Sequence, residues 1–305
     1  MLFQSNGICP VCANTGEIWC TTQDWEYRST MDCYTYLKCP SCLTLFLKEL
    51  PADNLMDIYP PDYYSFSPRA ASIVFKLKDW WDAFFYKSLL KNVKAPSLAV
   101  LDAGGGTGAV LDTLKKTDSR INYTEIIDID KNAALTAQKN GHVYTCSTIE
   151  DYQGSRKFEV ILLLNIIEHI ANPAAMIEKA GSLLSDGGII IIKTPNADSL
   201  DARLFRHSYW GGLHCPRHWI IFSDNSFRSI MRQSALSIQK IKFTQGAPFW
   251  AWSVLNLFRK KDIRQQKKAL INHPLFGVLS VLFAFFDIAR SVTAKTSQMF
   301  ITITK

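Results

Sequence analysis

The sequence predicts an α/β fold with an open, mostly parallel sheet and helices on both faces, preceded by a small four-cysteine zinc module. Two observations support this prediction. From residue 97 onward, apolar strands alternate with amphipathic helices around a glycine-rich turn. Before that point, two Cys-x-x-Cys pairs stand 30 residues apart. The length of 305 residues suits one large domain with a small appendage.

Composition excludes several classes of protein. With 48% apolar and 20% charged residues, the chain is a core-forming globular protein rather than a disordered tail or a fibrous repeat. The net charge of +7 is too small to require nucleic acid, but it suits an anionic ligand or a membrane surface. Residues 1–4 begin no signal peptide, so we expect a cytoplasmic protein, with membrane association as the alternative.

The four paired cysteines are the candidate metal ligands. Cys9 and Cys12 form one Cys-Pro-x-Cys turn, and Cys39 and Cys42 form a second. Such turns direct four thiolates at one tetrahedral Zn²⁺ and leave no position open for water or substrate, so we interpret the zinc as structural. Two redox motifs are the alternative, but the duplicated Cys-Pro-x-Cys form argues against them.

Short alternating segments around these turns predict the strands of a zinc ribbon: residues 18–19, 34–37 and 43–47. The other four cysteines are expected to be reduced, buried thiols. They are Cys20, Cys33, Cys146 and Cys215.

The main domain is predicted from alternating strands and helices. Strands are expected at 98–102, 123–128, 159–164, 189–193, 237–243 and 299–304, and helices at 109–116 and 132–139. The runs at 159–164 and 189–193 are apolar throughout, which is typical of buried parallel strands. In such a sheet, ligands bind beyond the carboxyl ends of the strands.

A glycine-rich turn follows the first of these strands. It reads Asp102-Ala-Gly104-Gly-Gly106-Thr-Gly108, and glycines allow both a tight bend and close approach of a ligand. Asp128, 26 residues after Asp102, can accept both ribose hydroxyls of an adenosine. A dinucleotide site would need Gly-x-Gly-x-x-Gly for its pyrophosphate. The observed spacing and the leading acid favour a cofactor with an amino group or a sulfonium.

The successive motifs resemble class I S-adenosyl-L-methionine-dependent methyltransferases. Besides the turn and Asp128, they include Asn165-Ile-Ile-Glu168-His169-Ile-Ala-Asn-Pro and the segment 184–196. The subgroup with Glu-His-x-x-x-Pro includes ubiquinone-type O-methyltransferases and enzymes that modify sugars and natural products. The resemblance covers residues 97–244. The chain departs from the family pattern at residues 234–236, where Ala-Gly-Phe is usual, and at Leu43, where the ribbon often has Gly.

The resemblance implies a Rossmann-like seven-stranded sheet and a set of cofactor contacts. Carried over by position, the glycines line the methionine and ribose, Asp128 binds the ribose hydroxyls, and Asn165 lies near the sulfonium. Thr148 and Ile149 occupy the positions of the adenine contacts. The full predicted cofactor set is Asp102, Gly104, Gly106, Gly108, Asp128, Thr148, Ile149 and Asn165.

Two histidines are the candidate catalytic residues. A hydroxyl acceptor must lose a proton as it is methylated, and histidine has the pKa nearest neutrality. His169 follows the fourth strand on the ligand side, and His218 matches a Pro-x-His position of the family. The alternatives are that His169 caps the following turn and that Arg217, rather than His218, contacts an anionic substrate.

The predicted domains are a zinc ribbon at 1–50, a helical linker or lid at 51–96 and a methyltransferase domain at 97–305. The last contains a helical insertion at about 245–297, in which six basic residues at 259–268 precede an apolar segment at 275–286. A peripheral membrane contact through 259–286 is one interpretation of this insertion. A buried or dimer-forming helix is the other, and the oligomeric state stays open.

The function predicted from these motifs is O-methylation of a small-molecule acceptor: a sugar, a lipid-linked glycan or a natural product. One alternative is an RNA-modifying methyltransferase that uses the zinc ribbon to hold its substrate. The chain lacks the Asn/Asp-Pro-Pro-aromatic motif of base methylation, so nucleic acid is not the expected partner. A second alternative is a non-catalytic adenosyl-binding module.

Overall fold

A computed structural model describes residues 6–49, 58–59, 85–207, 209–259 and 273–305. Most of the predicted helical linker or lid at 51–96 lies outside the described residues. The basic residues at 260–268 also lie outside them.

The chain forms eleven described strands. In chain order they are β1 (Glu17–Thr22), β2 (Tyr34–Lys38), β3 (Leu45–Leu47), β4 (Leu98–Ala103), β5 (Ile121–Asp128), β6 (Val143–Cys146), β7 (Phe158–Leu164), β8 (Leu184–Pro195), β9 (Ile220–Ile221), β10 (Ser237–Thr244) and β11 (Gln298–Thr304). Seven of these strands form one sheet in the order β10-β11-β8-β7-β4-β5-β6. β11 runs antiparallel to both of its neighbours, and the other pairings are parallel. The predicted seven-stranded sheet is thereby confirmed.

The described helices are α1 (Ala109–Thr117), α2 (Lys131–Lys139), α3 (Pro173–Leu183), α4 (Leu200–Leu204), α5 (Asp224–Met231), α6 (Ala247–Arg259) and α7 (Pro274–Arg290). Single 3₁₀ turns lie at Ile167–His169 and Gly211–Leu213. Local signals explain several boundaries. The Ser223 hydroxyl accepts the amide of Ser226 in a capping box at the start of α5, and Asn172 caps α3, which begins at Pro173.

Both faces of the large sheet are buried. Leu101, Ile161 and Ile190 lie in one hydrophobic cluster, and their neighbours Val100 and Leu162 lie in another. Alternate residues of a strand point to opposite faces, so fully apolar strands require cover on both sides. This is why the central strands lack the apolar–polar alternation of a half-exposed sheet.

The ribbon and the main domain share a second sheet. β1, β2 and β3 pair antiparallel, and β9 extends the sheet through the pairs Leu45↔Ile221 and Phe46↔Ile220. Phe46 is fully buried in the same cluster as Phe222 and Phe227. Residues 6–49 therefore pack against the rest of the chain through a shared sheet and a shared hydrophobic cluster.

Two of the four remaining cysteines differ from the prediction. Cys20 and Cys215 are buried in the cluster between the ribbon and the main domain. Cys33 and Cys146 are exposed, so the expectation that they are buried was wrong. Cys146 is the last residue of β6, the strand at one edge of the sheet, which pairs with β5 on one side only.

The insertion after β10 consists of α6 and α7, which pack against each other. Trp250 stacks on Phe283 with ring centroids 5.0 Å apart. The buried carboxylate of Asp287 accepts hydrogen bonds from the Gly246 amide, the Trp250 indole and the Ser297 hydroxyl. These contacts fix the inner face of α7. No helix among the described residues is long and apolar enough to cross a membrane.

Candidate functional site

The glycine turn after β4 has an open side. Gly104, Gly106 and Gly108 have φ angles of +77°, +52° and +84°, in the left-handed region that favours glycine. A Cβ on Gly108 would lie 2.5 Å from the His142 ring, whereas a Cβ on Gly106 would meet no atom within 4 Å. The turn is thus packed at Gly108 and free beside Gly106, where a ligand can lie against the backbone.

Two carboxyl groups flank this turn. Asp128, at the end of β5, accepts a hydrogen bond from the Gly106 amide at 2.8 Å. Asp102 is buried at the end of β4, and burial, with the Asp128 charge second, raises the pKa of its carboxyl to about 8. Asp128 therefore lies beside the open side of the turn, and its predicted role in holding the ribose hydroxyls stays a prediction.

The turn after β7 packs directly on the glycine turn. β4 and β7 are parallel neighbours, so their carboxyl ends meet at one edge of the sheet. A Cβ on Gly104 would lie 2.6 Å from the Ile166 side chain. Asn165 begins this turn, is exposed, and has a φ of +53°, a conformation that Asn tolerates better than most residues. Asn165 and the glycine turn thus lie at the carboxyl ends of two neighbouring strands.

The segment after β6 carries the two expected adenine contacts. The Thr148 hydroxyl is exposed, accepts the Asp151 amide and donates to the Asp151 carboxylate. Ile149 is only 3% exposed, and its side chain packs in the main core. The Thr148 side chain therefore caps a turn, and little of the Ile149 side chain is left for a ligand.

His169 and His218 lie together beside this edge of the sheet. Their rings meet edge to face with centroids 4.9 Å apart. The His169 Nδ1 is 2.9 Å from the Arg217 carbonyl and 3.2 Å from the Tyr59 hydroxyl. The His218 Nδ1 is 2.9 Å from the Gly212 carbonyl. A carbonyl only accepts, so each Nδ1 carries the proton and each Nε2 keeps a lone pair.

Glu168 completes this cluster. One oxygen of its fully buried carboxyl accepts the Thr194 hydroxyl at 3.0 Å. The other oxygen has no hydrogen-bond partner within the described residues and lies 3.9 Å from the His218 Nε2. Sequence reasoning noted Glu168 only as part of a motif, and its burial against His218 was not foreseen.

Burial keeps all three groups uncharged near neutral pH. It raises the pKa of Glu168 to about 8 and lowers the pKa of His169 to about 4. Burial also holds the pKa of His218 well below its usual value, and the neighbouring His169 and His214 lower it further. The cluster is therefore a neutral acid beside two neutral bases. His169 is half-buried and His218 only 6% exposed, so His169 is the more accessible base.

Side chains of the ribbon contact the segment that carries His214, Arg217 and His218. The loop between β1 and β2 brings Asp24 to Arg217, where the two buried groups form an ion pair at 2.7 Å. Glu26 from the same loop bonds the Nδ1 of His214. The Tyr36 hydroxyl donates to the His218 carbonyl at 2.7 Å. Arg217 is thus fully buried and paired with Asp24, which argues against the alternative that it contacts an anionic substrate.

Sequence reasoning missed Asp24, Glu26 and Tyr36. The pair Asp24–Arg217 is separated by 193 positions, and an isolated acid in a ribbon loop gives no local signal. The four cysteines, in contrast, lie where their spacing predicts.

The thiols of Cys9, Cys12, Cys39 and Cys42 all lie within 4.8 Å of one another. Three of the sulfur pairs are 3.4 to 3.6 Å apart. Tetrahedral zinc with Zn–S bonds of about 2.3 Å separates its sulfurs by about 3.8 Å. None of these cysteines forms a disulfide. The cluster therefore fits one Zn²⁺ with little movement.

Comparison with known proteins decides the family. Residues 76–240, more than half of the chain, match the profile of the methyltransferase domain family. The chain belongs to this family. Its sheet and motifs place it among the class I S-adenosylmethionine-dependent methyltransferases, as the motif resemblance implied.

Curated relatives agree with this assignment. The methyltransferase is 24% identical over 102 residues to a ubiquinone biosynthesis O-methyltransferase of Bradyrhizobium sp. (strain ORS 278), covering 32% of this chain and 40% of the relative. It is 30% identical over 136 residues to the same-named protein of Coxiella burnetii (strain Dugway 5J108-111), covering 39% and 58%. The chain thus spans about half the length of the curated relatives that it matches.

Among solved structures, a similar fold is that of coclaurine N-methyltransferase bound to N-methylheliamine and SAH. It aligns with a TM-score of 0.51 and 13% identity, covering 79% of this methyltransferase and 76% of that chain. At this identity the likeness concerns the fold alone.

Proposed function

We propose that this methyltransferase transfers a methyl group from S-adenosylmethionine to a hydroxyl of a small-molecule acceptor, which is a sugar, a lipid-linked glycan or a natural product. The observation that carries the proposal is the neutral, half-buried imidazole of His169, in the turn after β7 whose Ile166 packs on the glycine turn. An acceptor hydroxyl needs such a base because its own pKa lies far above neutrality.

The residues around the glycine turn suit the cofactor. Gly106 leaves room against the backbone, and Asp128 beside it can accept the two ribose hydroxyls. Asn165 is exposed in the turn after β7, the strand next to β4, and is the proposed contact near the sulfonium. When bound, S-adenosylmethionine supplies an electrophilic methyl group on its sulfonium. The protein's part is to hold acceptor and methyl in line and to remove a proton.

His169 is the proposed proton acceptor, through its Nε2. The Arg217 carbonyl holds the Nδ1 proton, which fixes the tautomer and the orientation of the ring. His218 and Glu168 are positioning residues: the His218 ring packs edge to face on His169, and Glu168 lies beside the His218 Nε2. This division of roles follows from the greater exposure of His169.

The zinc is proposed as structural. Its four protein ligands would leave no position for a reacting group, and the ribbon loop between β1 and β2 supports the histidine cluster through Asp24 and Glu26. Zinc would therefore stabilise the loop that supports the histidine cluster and would take no part in the methyl transfer itself.

The test is methyl transfer from labelled S-adenosylmethionine to a panel of hydroxylated acceptors and, separately, to RNA. We expect label in a small hydroxylated product, and at least about a 100-fold lower kcat for His169→Ala and for His218→Ala, with cofactor affinity within a few-fold. Label in RNA alone would favour the nucleic-acid alternative. Cofactor binding without transfer to either class would contradict the enzymatic role.

A further inference from the structure

The outer face of α7 is apolar along its whole length. Four large side chains at helical spacing point away from the protein: Leu275, Val278, Leu282 and Phe285, with exposed fractions of 54%, 58%, 61% and 70%. The inner face is already occupied, because Phe276 and Phe283 pack on α6. This outer stripe is therefore additional to the packing of the insertion.

The outer stripe contains no charged residue. Between residues 275 and 286, Ser280 is the one polar side chain, and Asp287 at the end of the run is fully buried. An exposed helix normally carries charges on the face away from the core. Here both faces are apolar, which indicates that the outer face also has a partner.

The neighbouring sequence is strongly basic. Residues 259–268, which join α6 to α7, contain six basic residues and one acid, so this stretch holds a net +5 of the chain's +7. A second copy of the chain carries the same net positive charge and therefore offers no complement to it. An anionic lipid surface, in contrast, complements the charge and accepts the apolar side chains.

We propose that α7 is a peripheral membrane-binding helix that lies in the headgroup region of an anionic bilayer, with its outer stripe inserted. Its 17 residues extend about 25 Å at 1.5 Å per residue. That length suits a helix in the plane of the interface and agrees with the absence of a membrane-crossing helix among the described residues.

Vesicle co-sedimentation of the full chain tests the proposal. We expect binding to vesicles of phosphatidylcholine with about one-third phosphatidylglycerol, weaker binding to phosphatidylcholine alone, and weaker binding as salt is raised. Leu282→Ser and Phe285→Ser should each lower the partition coefficient about tenfold, since each removes apolar surface from the lipid contact. Both side chains are exposed, so folding should be unchanged in thermal unfolding.

Leu135→Ser is the matched control, because Leu135 is 78% exposed on α2, away from the insertion. Its vesicle binding should equal that of the wild type. Failure of the wild type to bind anionic vesicles would overturn the proposal, as would unchanged binding of the α7 variants. Self-association in ultracentrifugation that Phe285→Ser abolishes, without vesicle binding, would assign the face to a second copy instead. The assay needs no cofactor or acceptor, so its outcome is independent of the proposed function.

Discussion

The protonation state of His169 sets the pH range of the proposed reaction. Burial lowers the pKa of this imidazole to about 4, so the neutral form that accepts a proton persists at lower pH than for an ordinary histidine. We therefore predict that kcat/KM stays level from pH 8 down to pH 6 as far as His169 is concerned, and falls only as pH approaches 4. Steady-state kinetics across this range measure it.

The control for this profile is His207→Gln, since His207 is an exposed histidine in the segment between α4 and β9, outside the cluster of His169, His218 and Glu168. That variant should keep the shape of the wild-type curve. A half-loss of kcat/KM near pH 6.5 that disappears in His169→Gln would show that His169 titrates as an ordinary, solvated histidine, against the geometry described above.

Asp128 is the residue on which cofactor affinity should depend most directly. Asp128→Ala removes both the acceptor for the ribose hydroxyls and the bond to the Gly106 amide. We predict a loss of about 1.5–3 kcal/mol in binding free energy, the scale of hydrogen bonds to a charged group. Calorimetry with S-adenosylhomocysteine measures it. Asp186→Ala removes an exposed acid at the amino end of β8, whereas the glycine turn lies at the carboxyl ends of the strands, so this variant should bind as the wild type does.

At the level of single elements, the loop between β1 and β2 is held by a buried charge. The side chains of Asp24 and Arg217 are both fully buried and form an ion pair at 2.7 Å. Asp24→Ala would leave the guanidinium uncompensated, so we predict that the free energy of unfolding falls by about 3–5 kcal/mol. Denaturant titration measures this. The double variant Asp24→Ala with Arg217→Met should recover part of the loss, and additive losses would contradict the pairing.

Zinc should act on the same loop. We predict one zinc per chain by elemental analysis, and a fall in kcat when a chelator removes it, because the ribbon supplies Asp24 and Glu26 to the histidine cluster. Cofactor affinity should change less, since the glycine turn follows β4 of the seven-stranded sheet and not a strand of the ribbon sheet. A metal content near zero, with four thiols that react freely in the native protein, would refute the site.

The elements differ in how well the sequence predicts them. The predicted bounds of β4, β5 and β7 lie within two residues of the observed ones. β4 and β7 are mostly apolar, as buried parallel strands are, whereas β5 is mixed in composition and is indicated by its place between two helical patterns. β9 was missed because two residues have no periodicity, and its pairing with β3 is a tertiary event. The same limit applies to the site. Local motifs indicated His169 and Asp128, whereas Asp24 contributes only through a contact across the fold.

For the whole molecule, the shared sheet makes the ribbon part of the main fold. Tyr36, Leu45 and Phe46 are buried against residues that follow position 200. We predict that a chain of residues 50–305 exposes this surface, binds a hydrophobic dye and unfolds at lower denaturant concentration than the full chain. A truncated protein of unchanged stability and activity would show that the predicted boundary at residue 50 separates independent domains.

The pairing of β3 with β9 also bears on how the chain is made. Leu45 and Ile221 stand 176 positions apart, so β3 leaves the ribosome long before its partner exists. At about 5–20 residues per second, the interval is about 10–35 s. During this interval the two cysteine turns can bind zinc, while the edge of β3 that later pairs with β9 remains unpaired. A nascent chain that binds zinc early would therefore protect its thiols during translation. The ribbon could support the cluster of Glu168, His169 and His218 only after most of the polypeptide has been synthesised.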